Sequence, residues 1–181
     1  MEGFEDRLLT NCRKGDNNAF RQLVDKLGGR IYHLVLPMVN SREDAKDIVQ
    51  DAFLRAFEHM DSFRGASSLE TWICSIALNA ARDWLKKNKP IAVPFDEYAT
   101  LTHQEHATDD IARAETEVII ENALAQLNAE FREMLILRDM MGFSYEEIAE
   151  MQHMELGTVK SRLSRARSAM RELLIREEGI L

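Results

Sequence analysis

Apolar residues recur every three or four positions through most of this chain, which is the spacing of one face of an α-helix. The stripes are Ala45, Ile48, Val49, Ala52, Ala56 and Met60; Leu69, Ile73, Ile76, Ala80 and Trp84; Ile120, Leu124 and Leu127; and Val159, Leu163, Ala166, Met170 and Leu173. Strict alternation of apolar and polar residues between regular turn signals, which is typical of strands, is missing. The pattern therefore predicts an all-α fold.

The helical pattern is interrupted once, between residues 89 and 115. This segment contains Pro90 and Pro94, is poorly periodic and is acidic, all of which favour a flexible linker. It separates residues 1–88 from residues 116–181, and each of these parts is long enough for a small helical bundle. We therefore predict two small helical domains joined by an acidic linker.

Several classes of protein are excluded by what the sequence lacks. No apolar run approaches the roughly 18 residues that cross a bilayer, and the first residues do not resemble a signal peptide, so we expect a cytoplasmic protein. Cys12 and Cys74 are too few for a disulfide scaffold and are predicted to be reduced and partly buried. The five histidines form no metal signature, and no phosphate-binding loop or nucleophile motif is present, so we expect neither a cofactor nor an enzyme.

The net charge of −8 argues at first against binding to nucleic acid, but the charge is unevenly distributed. Residues 1–88 are neutral overall, whereas residues 156–176 contain six basic side chains and a single acidic one, Glu172. A basic stretch inside an acidic protein indicates a dedicated patch.

A helix-turn-helix is predicted around residues 143–176. Ser144 and Glu147 have the spacing of a capping box, and Phe143 and Ile148 that of a hydrophobic staple, so a short helix should begin here and end near Gln152. A tight connection follows, and a second helix should begin near Gly157.

The second helix is predicted to place its apolar stripe inward and small or basic residues outward. Such a face suits the major groove, where small residues and a long donor meet the bases and flanking cations, Arg167 among them, bind phosphates. The candidate residues are Thr158, Lys160, Ser161, Arg162, Ser164 and Arg165. The alternative is a solvated basic surface helix.

Two further candidate surfaces lie in the first 88 residues. The helix over residues 43–60 has an acidic outer face with one apolar residue among the acids, which fits either an interaction surface for a basic partner or a solvated face. The residues are Asp47, Gln50, Asp51 and Leu54. The loop 62–68 and the next helix combine small, amide and basic side chains that could hold an unpaired base and its phosphates. These residues are Arg64, Ser67, Ser75, Asn79, Arg82 and Lys86.

Three departures from a regular pattern stand in the first long helix and before the last one. Gly28-Gly29 and Pro37 are expected to kink or break the helix that contains them. Glu155 precedes the last helix where a better N-cap would be expected.

At this point the sequence resembles the extracytoplasmic-function sigma factors of bacterial RNA polymerase. The residues that resemble their −10 domain are Gly15-Asp16, Ala19-Phe20, the run from Glu43 to Phe53, Phe63-Arg64-Gly65, Thr71-Trp72-Ile73 and the run from Ile76 to Asn79. The residues that resemble their −35 domain are the runs from Phe143 to Ala149 and from Gly157 to Leu163. The two blocks occur in the family's order and spacing and cover nearly the whole chain.

The resemblance implies an alternative sigma factor that binds core RNA polymerase, recognises −35 and −10 promoter elements and helps to melt the DNA in a stress or envelope response. By this analogy the acidic face of residues 47–54 binds the clamp helices of the largest polymerase subunit. The loop 64–68 accepts a flipped base, Asn79 and Arg82 contact the −10 element, and Lys86 its backbone. Lys160, Ser161, Ser164 and Arg165 read the −35 element. The acidic linker follows the RNA exit path.

The resemblance also implies a further partner, because such proteins are commonly held inactive by an anti-sigma factor, often a membrane-bound one. Two alternatives stay open. The first is a sigma-like decoy that binds an anti-sigma factor without binding DNA, and it predicts loss of the basic and small groups on the DNA-facing helices. The second is an ordinary helix-turn-helix regulator, which leaves the first 88 residues unexplained.

Overall fold

The computed structural model describes residues 4–88 and 110–177, and all regular structure in these two ranges is helical. The predicted all-α fold is therefore confirmed. Within these ranges eight α-helices follow one another: α1 Phe4–Arg13, α2 Asn17–Val39, α3 Arg42–Glu58, α4 Leu69–Lys87, α5 Asp110–Gln126, α6 Ala129–Leu135, α7 Tyr145–Gln152 and α8 Leu156–Glu177. A 3₁₀ turn, Met60–Ser62, follows α3, and a π-helical turn, Ile136–Met140, continues α6. None of these helices has the length and apolar character needed to cross a membrane.

Helices α1 to α4 form the N-terminal half, and each of the last three begins at a side-chain cap. Asp16 accepts hydrogen bonds from the Asn18 and Ala19 amides, Ser41 from Asp44, and Ser68 from Thr71. These caps satisfy backbone N–H groups that have no partner inside the helix. The apolar stripes of α2, α3 and α4 meet in one core, which contains the predicted inward residues of α3 and α4.

Helix α2 does not break at Gly28-Gly29 or at Pro37, so the expected break is wrong. It runs as one helix from Asn17 to Val39 and ends in a left-handed residue, Asn40. Leu27 and Ile31, on either side of the glycines, are both buried in the core. Burial of the apolar face outweighs the low helix propensity of two glycines, because helices in proteins are stabilised mainly by tertiary packing.

Helices α5 to α8 form the C-terminal half. Residues 110–115, which the sequence analysis includes in the linker, form the first turns of α5, and residues 89–109 lie outside the described ranges. The Arg132 guanidinium binds carbonyl groups at the end of α5, at 2.8 Å from Leu124 and 2.6 Å from Ala125, and the carbonyl of Leu127 just after the helix, at 3.0 Å. A cation in this place satisfies carbonyls that the helix itself leaves without partners.

The two halves pack against each other through α2 and α4 on one side and α5, α6, α7 and the π turn on the other. The Arg30 guanidinium donates to the Met141 carbonyl at 2.8 Å and lies over the Phe143 ring, 5.7 Å from its centroid. Arg132 donates to the Met38 carbonyl at 3.2 Å. Polar contacts thus join the halves at several separate places.

Candidate functional site

The outer face of α3 is exposed along the residues that the sequence analysis selects. Asp47 and Gln50 are exposed, and Leu54 is 52% exposed, the most exposed of the large apolar residues in the described ranges. Asp51 pairs with Arg55 of the next turn at 2.7 Å. This face therefore has an apolar centre with acidic groups around it.

A groove of about 430 Å³ lies between α2 and α3 and reaches Gln50 and Leu54. Gly28 and Gly29 form part of its wall, together with apolar side chains such as Val49. A Cβ added at Gly29 would meet nothing within 4 Å, and one added at Gly28 would meet only Val24, at 4.0 Å. The packing of the chain itself therefore does not require these glycines, and their bare backbone widens the groove.

The loop before α4 is compact and exposes one cation. Arg13 donates a hydrogen bond to the Phe63 carbonyl, and Gly65 adopts φ +73°, which favours glycine. Arg64, between Phe63 and Gly65, is exposed, and Ser67, two residues after Gly65, is half-buried. The loop thus offers an arginine beside small residues at the start of α4.

On α4, the residues selected for −10 DNA have different surroundings. Asn79 and Lys86 are exposed, whereas Ser75 is half-buried and donates to the Trp72 carbonyl at 2.7 Å. Arg82 faces the C-terminal half instead of solvent, and its side chain is 27% exposed. The two tryptophans, Trp72 and Trp84, are partly buried against the core.

Arg82 is the centre of a polar cluster between the two halves. Its Nε and Nη2 atoms donate to the two carboxylate oxygens of Glu133, at 3.1 and 2.5 Å, and Nη2 also donates to Gln152. Its Nη1 atom donates to Asn79 Oδ1 at 3.0 Å. Gln152 in turn donates to Glu133 at 2.6 Å. The bidentate geometry between Arg82 and Glu133 is the strong form of an arginine–carboxylate pair.

Glu133 and Gln152 are not among the site residues predicted from the sequence. A signal was present for Glu133, because this acid begins an otherwise apolar run that continues to Leu137. The structure buries the whole run, and Glu133 itself is 7% exposed. A buried acid needs a partner, and Arg82 supplies it.

The helix-turn-helix forms as predicted. Ser144 Oγ accepts from the Glu147 amide at 3.1 Å, and the Glu147 carboxylate accepts from the Ser144 amide at 2.8 Å, which completes the capping box of α7. That amide, then the Ser144 hydroxyl, Thr71 and Arg30, lower the pKa of Glu147 against the opposing effect of burial. Helix α7 ends at a left-handed His153, and α8 starts three residues later.

The apolar stripe of α8 faces the core, and the residues predicted to contact DNA face solvent. Val159, Leu163 and Ala166 are at most 1% exposed. The opposite residues are open: Lys160, Ser161, Ser164 and Arg165 are exposed, and Thr158 is half-buried. The helix therefore presents small side chains and two cations on its outer face.

Two other arginines of α8 are engaged inside the C-terminal half. Arg162 pairs with Glu130 at 3.1 Å. Arg167 pairs with Asp139 through two hydrogen bonds of 2.5 and 3.1 Å, which raise the pKa of its guanidinium. Arg167 thus fastens α8 to the π turn, and the predicted binding of a phosphate requires it to leave Asp139.

Comparison with known proteins gives the family. A profile described as Sigma-70 region 2 matches residues 23–91, and one described as Sigma-70, region 4 matches residues 117–170. The RNA polymerase sigma-H factor of Pseudomonas aeruginosa is 33% identical over 180 residues, which cover 94% of this chain and 93% of the relative. The ECF RNA polymerase sigma-E factor of Escherichia coli is 34% identical over 173 residues, which cover 90% of each chain.

Solved structures share the fold. CnrH, solved in complex with the cytosolic domain of CnrY, has a TM-score of 0.71 at 24% identity and covers 94% of this chain and 96% of its own. The sigma factor RpoE of Bartonella quintana, solved in complex with the anti-sigma factor NepR, has a TM-score of 0.68 at 28% identity, with 86% and 96% covered. The two profiles match successive parts of the chain, and the two relatives match it over at least 90% of their length. This chain therefore belongs to the extracytoplasmic-function group of the sigma-70 family.

Proposed function

We propose that the two halves of this alternative sigma factor have separate binding functions. Residues 1–88 bind core RNA polymerase and the −10 element, residues 116–181 bind the −35 element, and residues 89–115 connect them. The observation that carries the proposal is the exposed face of α8, which holds Ser161, Ser164 and Arg165 outward on a capped helix-turn-helix. A helix presented in this way suits the major groove.

Polymerase binding is proposed to use the acidic face of α3 with Asp47, Gln50, Asp51 and Leu54. The apolar Leu54 supplies a site for close packing, and the surrounding acids attract a basic partner surface. The groove between α2 and α3 adjoins this face, so an apolar side chain of the partner can enter beside Leu54. The location of the bare Gly28-Gly29 backbone in that groove supports the same surface.

Promoter opening is proposed to use the loop before α4 and the outer face of α4. The loop 64–68 accepts a base that has left the stack, Asn79 and Arg82 contact the −10 element, and Ser75 and Lys86 flank them. Unstacking one step costs a few kcal/mol, which phosphate contacts and capture of the base offset. Nucleotide hydrolysis is not needed, and we propose that the chain has no catalytic activity of its own.

Recognition of the −35 element is proposed to combine base and phosphate contacts from α8. Arg165, with Thr158, Ser161 and Ser164 beside it, contacts base edges, and the flanking Lys160 and Arg162 bind nearby phosphates. Arg162 must exchange Glu130 for phosphate in this complex.

Regulation is proposed to involve an anti-sigma factor acting on this chain in the cytoplasm, in a stress or envelope response. The support is the sigma factor RpoE of Bartonella quintana, which was solved with such a partner. The decoy alternative is not favoured, because Asn79, Arg82, Lys160 and Arg165 are all retained on the helices that such a decoy would not need.

The experiment is run-off transcription with bacterial core polymerase on a pool of promoter fragments, with and without this protein. We expect transcripts that share one −35 and −10 pair only when the protein is added. If no transcript appears and core polymerase does not retain the protein in a pull-down, the proposed function is wrong.

Two variants locate the polymerase surface. Leu54→Glu should abolish retention on core polymerase, because it places a carboxylate at the apolar centre of the α3 face. Met140→Glu is the matched control, since Met140 is 51% exposed but lies in the π turn of the other half. Equal retention of both variants would mean that α3 is not the binding surface.

A further inference from the structure

Part of the α4 face proposed to bind −10 DNA packs against the C-terminal half: Arg82 is covered, whereas Asn79 and Lys86 are exposed. Arg82 of α4 binds Glu133 of α6 and Gln152 of α7, and Thr71 of α4 donates to Glu147 of α7 at 3.2 Å. The region of the chain that should read the promoter is therefore a surface that recognises another part of the same chain.

We propose that α6 and α7 occupy the −10 surface of α4 in the free protein, and that the chain binds −10 DNA only after this contact opens. Arg82, Glu133 and Gln152, which we call the latch, are its centre. The inference rests on the proposed role of Arg82 in −10 binding, and it adds the regulation of that surface.

The latch and DNA exclude each other because they need the same atoms. In the closed chain the Nε, Nη1 and Nη2 atoms of Arg82 all donate to protein oxygens, with Glu133 in bidentate contact. The Asn79 side-chain oxygen is also taken, since it accepts from Arg82 at 3.0 Å. A phosphate or base can bind Nε and Nη2 of Arg82 only when Glu133 and Gln152 have left.

Opening must occur as one event. Glu133 is 7% exposed, so withdrawal of Arg82 alone would leave a buried carboxylate without its cation, which is strongly unfavourable. The cost disappears only when the whole α6–α7 surface leaves α4 and Glu133 enters water. The Thr71–Glu147 and Arg30–Met141 hydrogen bonds join the same two halves and must break with it.

The closed chain treats its two proposed DNA surfaces differently. Lys160, Ser161 and Arg165 on α8 are exposed, and the latch does not involve them. Closure therefore blocks −10 binding but leaves the −35 surface open. This asymmetry separates the latch from a general effect of net charge, which would weaken binding at both surfaces.

A cleft at the edge of the contact between α4 and the C-terminal half leads to the latch. This cleft of about 520 Å³ is lined by Arg82, Lys86 and Arg162 on its basic side and by Glu130 and Glu133 on its acidic side. A phosphate entering here meets three cations, two of which are already paired with these acids. A strand bound to an exposed Lys86 therefore lies close to Arg82 and can bind it once the α6–α7 surface has left α4.

The first arm of the test measures closure without DNA or polymerase. Fluorophores attached through Glu58→Cys on α3 and Glu172→Cys on α8 report energy transfer between the halves, and the buried Cys12 and Cys74 stay unlabelled. We expect high transfer in the parent protein and a clear fall on Glu133→Gln. Asp139→Asn is the matched control, because it removes an equal charge from an arginine pair inside one half and should change nothing.

Exchanging the partners tests whether the ion pair itself closes the chain. Arg82→Glu and Glu133→Arg should each lower energy transfer, and the double variant should restore it. The double variant should still fail to bind −10 DNA, since Arg82 is gone. Raising the salt concentration should also lower transfer in the parent protein, because the Arg82 side chain is 27% exposed and salt weakens its attraction to Glu133. This check needs no substituted protein.

The second arm measures binding to two probes by fluorescence anisotropy: a randomised single-stranded oligonucleotide pool for the −10 surface and a randomised duplex pool for α8. Glu133→Gln should bind the single-stranded pool at least about fivefold more tightly than Asp139→Asn, the lower end of typical couplings between sites. Both variants should bind the duplex pool alike.

Low energy transfer in the parent protein, or equal transfer and binding in Glu133→Gln and Asp139→Asn, would overturn the latch. These outcomes are distinct from failure of the proposed function. A chain that closes through the latch but gives no transcripts with core polymerase would contradict the function and leave the closed state standing.

Discussion

Four arginines in this chain have different surroundings, and those surroundings decide what each guanidinium binds. Arg132 is partly buried among carbonyl groups, and the burial lowers its pKa. Arg82 is held by a buried acid and Arg167 by an exposed one. Arg165 is exposed and contacts only its own helix, at the Ser161 carbonyl 3.4 Å away, among the contacts described. Of the four, Arg165 is therefore the most available for a ligand.

Replacing Arg165 tests that conclusion. Arg165→Ala should lose roughly 1–3 kcal/mol of discrimination at one position of the −35 element, because an arginine that contacts a base edge contributes about this much. The measurement is competition binding of the polymerase complex to promoter variants mutated one base pair at a time. Arg171→Ala is the control, since Arg171 is also exposed on α8 but lies beyond the proposed reading face. Unchanged base preference in Arg165→Ala would remove this residue from the site.

The two cysteines are fully buried, in contrast to the exposed Arg165. Cys12 and Cys74 are 2% and 0% exposed. Burial, with a smaller contribution from Glu70, raises the pKa of Cys74 to about 12, so at pH 8 only about one thiol in ten thousand is the reactive thiolate. Burial also raises the pKa of Cys12. A thiol reagent such as DTNB should therefore label neither residue in the folded protein and both in guanidinium. Rapid labelling of the folded protein would show that one of them is open to oxidation.

At the scale of the elements, short-range caps set where the helices begin. The box at Ser144 and Glu147 is the most complete of them, because each side chain binds the other's backbone amide. Glu147 also receives the hydroxyl of Thr71, so the same carboxylate caps α7 and contacts α4. A cap with two roles should affect both the stability of the C-terminal half and its contact with the N-terminal half.

Removing the cap should be measurable by chemical denaturation. Ser144→Ala should lower the free energy of unfolding by about 1 kcal/mol at neutral pH, the usual contribution of a serine N-cap. Because the pKa of Glu147 is lowered in the folded state, its stabilisation is present at neutral pH and is lost as the pH falls into the acid range. The main cause of this lowered pKa is the backbone amide of residue 144, which alanine keeps, so the difference between the variant and the parent should change only slightly in acid. A difference that disappears in acid would mean that the Ser144 hydroxyl, and not the amide, stabilises the ionised Glu147.

The glycine pair of α2 lowers the stability of its helix, because glycine has a low helix propensity. Gly29→Ala should raise the free energy of unfolding by about 0.5–1 kcal/mol, since alanine favours the helix and its Cβ meets nothing within 4 Å. The same methyl group narrows the groove beside Leu54, so the variant should bind core polymerase more weakly. Gly157→Ala, whose added Cβ also meets nothing within 4 Å, is the control for polymerase binding. A stabilised Gly29→Ala protein with unchanged affinity would show that the groove is not used.

At the scale of the whole molecule, the sequence predicts what depends on neighbours along the chain. Residues a few positions apart predict the helices, the capping box and the inward stripe of α8. The motifs that indicate the family are also short. The latch does not, because Arg82 and Glu133 are 51 positions apart and meet only when the two halves pack. An arginine aimed at a phosphate and one aimed at a carboxylate look alike in a sequence. Even the unbroken α2 depends on packing, which outweighs the local effect of two glycines.

Packing between the halves should also appear in how the chain unfolds. Hydrogen bonds from Arg30, Thr71, Arg82 and Arg132 join the halves, so we expect one cooperative thermal transition.

Arg30→Met keeps most of the side-chain length but removes the bonds to Met141 and Glu70 and the cation over Phe143. In calorimetry, the ratio of calorimetric to van't Hoff enthalpy should be near one for the parent and should rise in the variant as the halves begin to unfold separately. Arg171→Met, an exposed arginine on α8, should leave the ratio unchanged. Two transitions in the parent would mean that the contact between the halves is too weak to couple them, and the latch would then have little to hold closed.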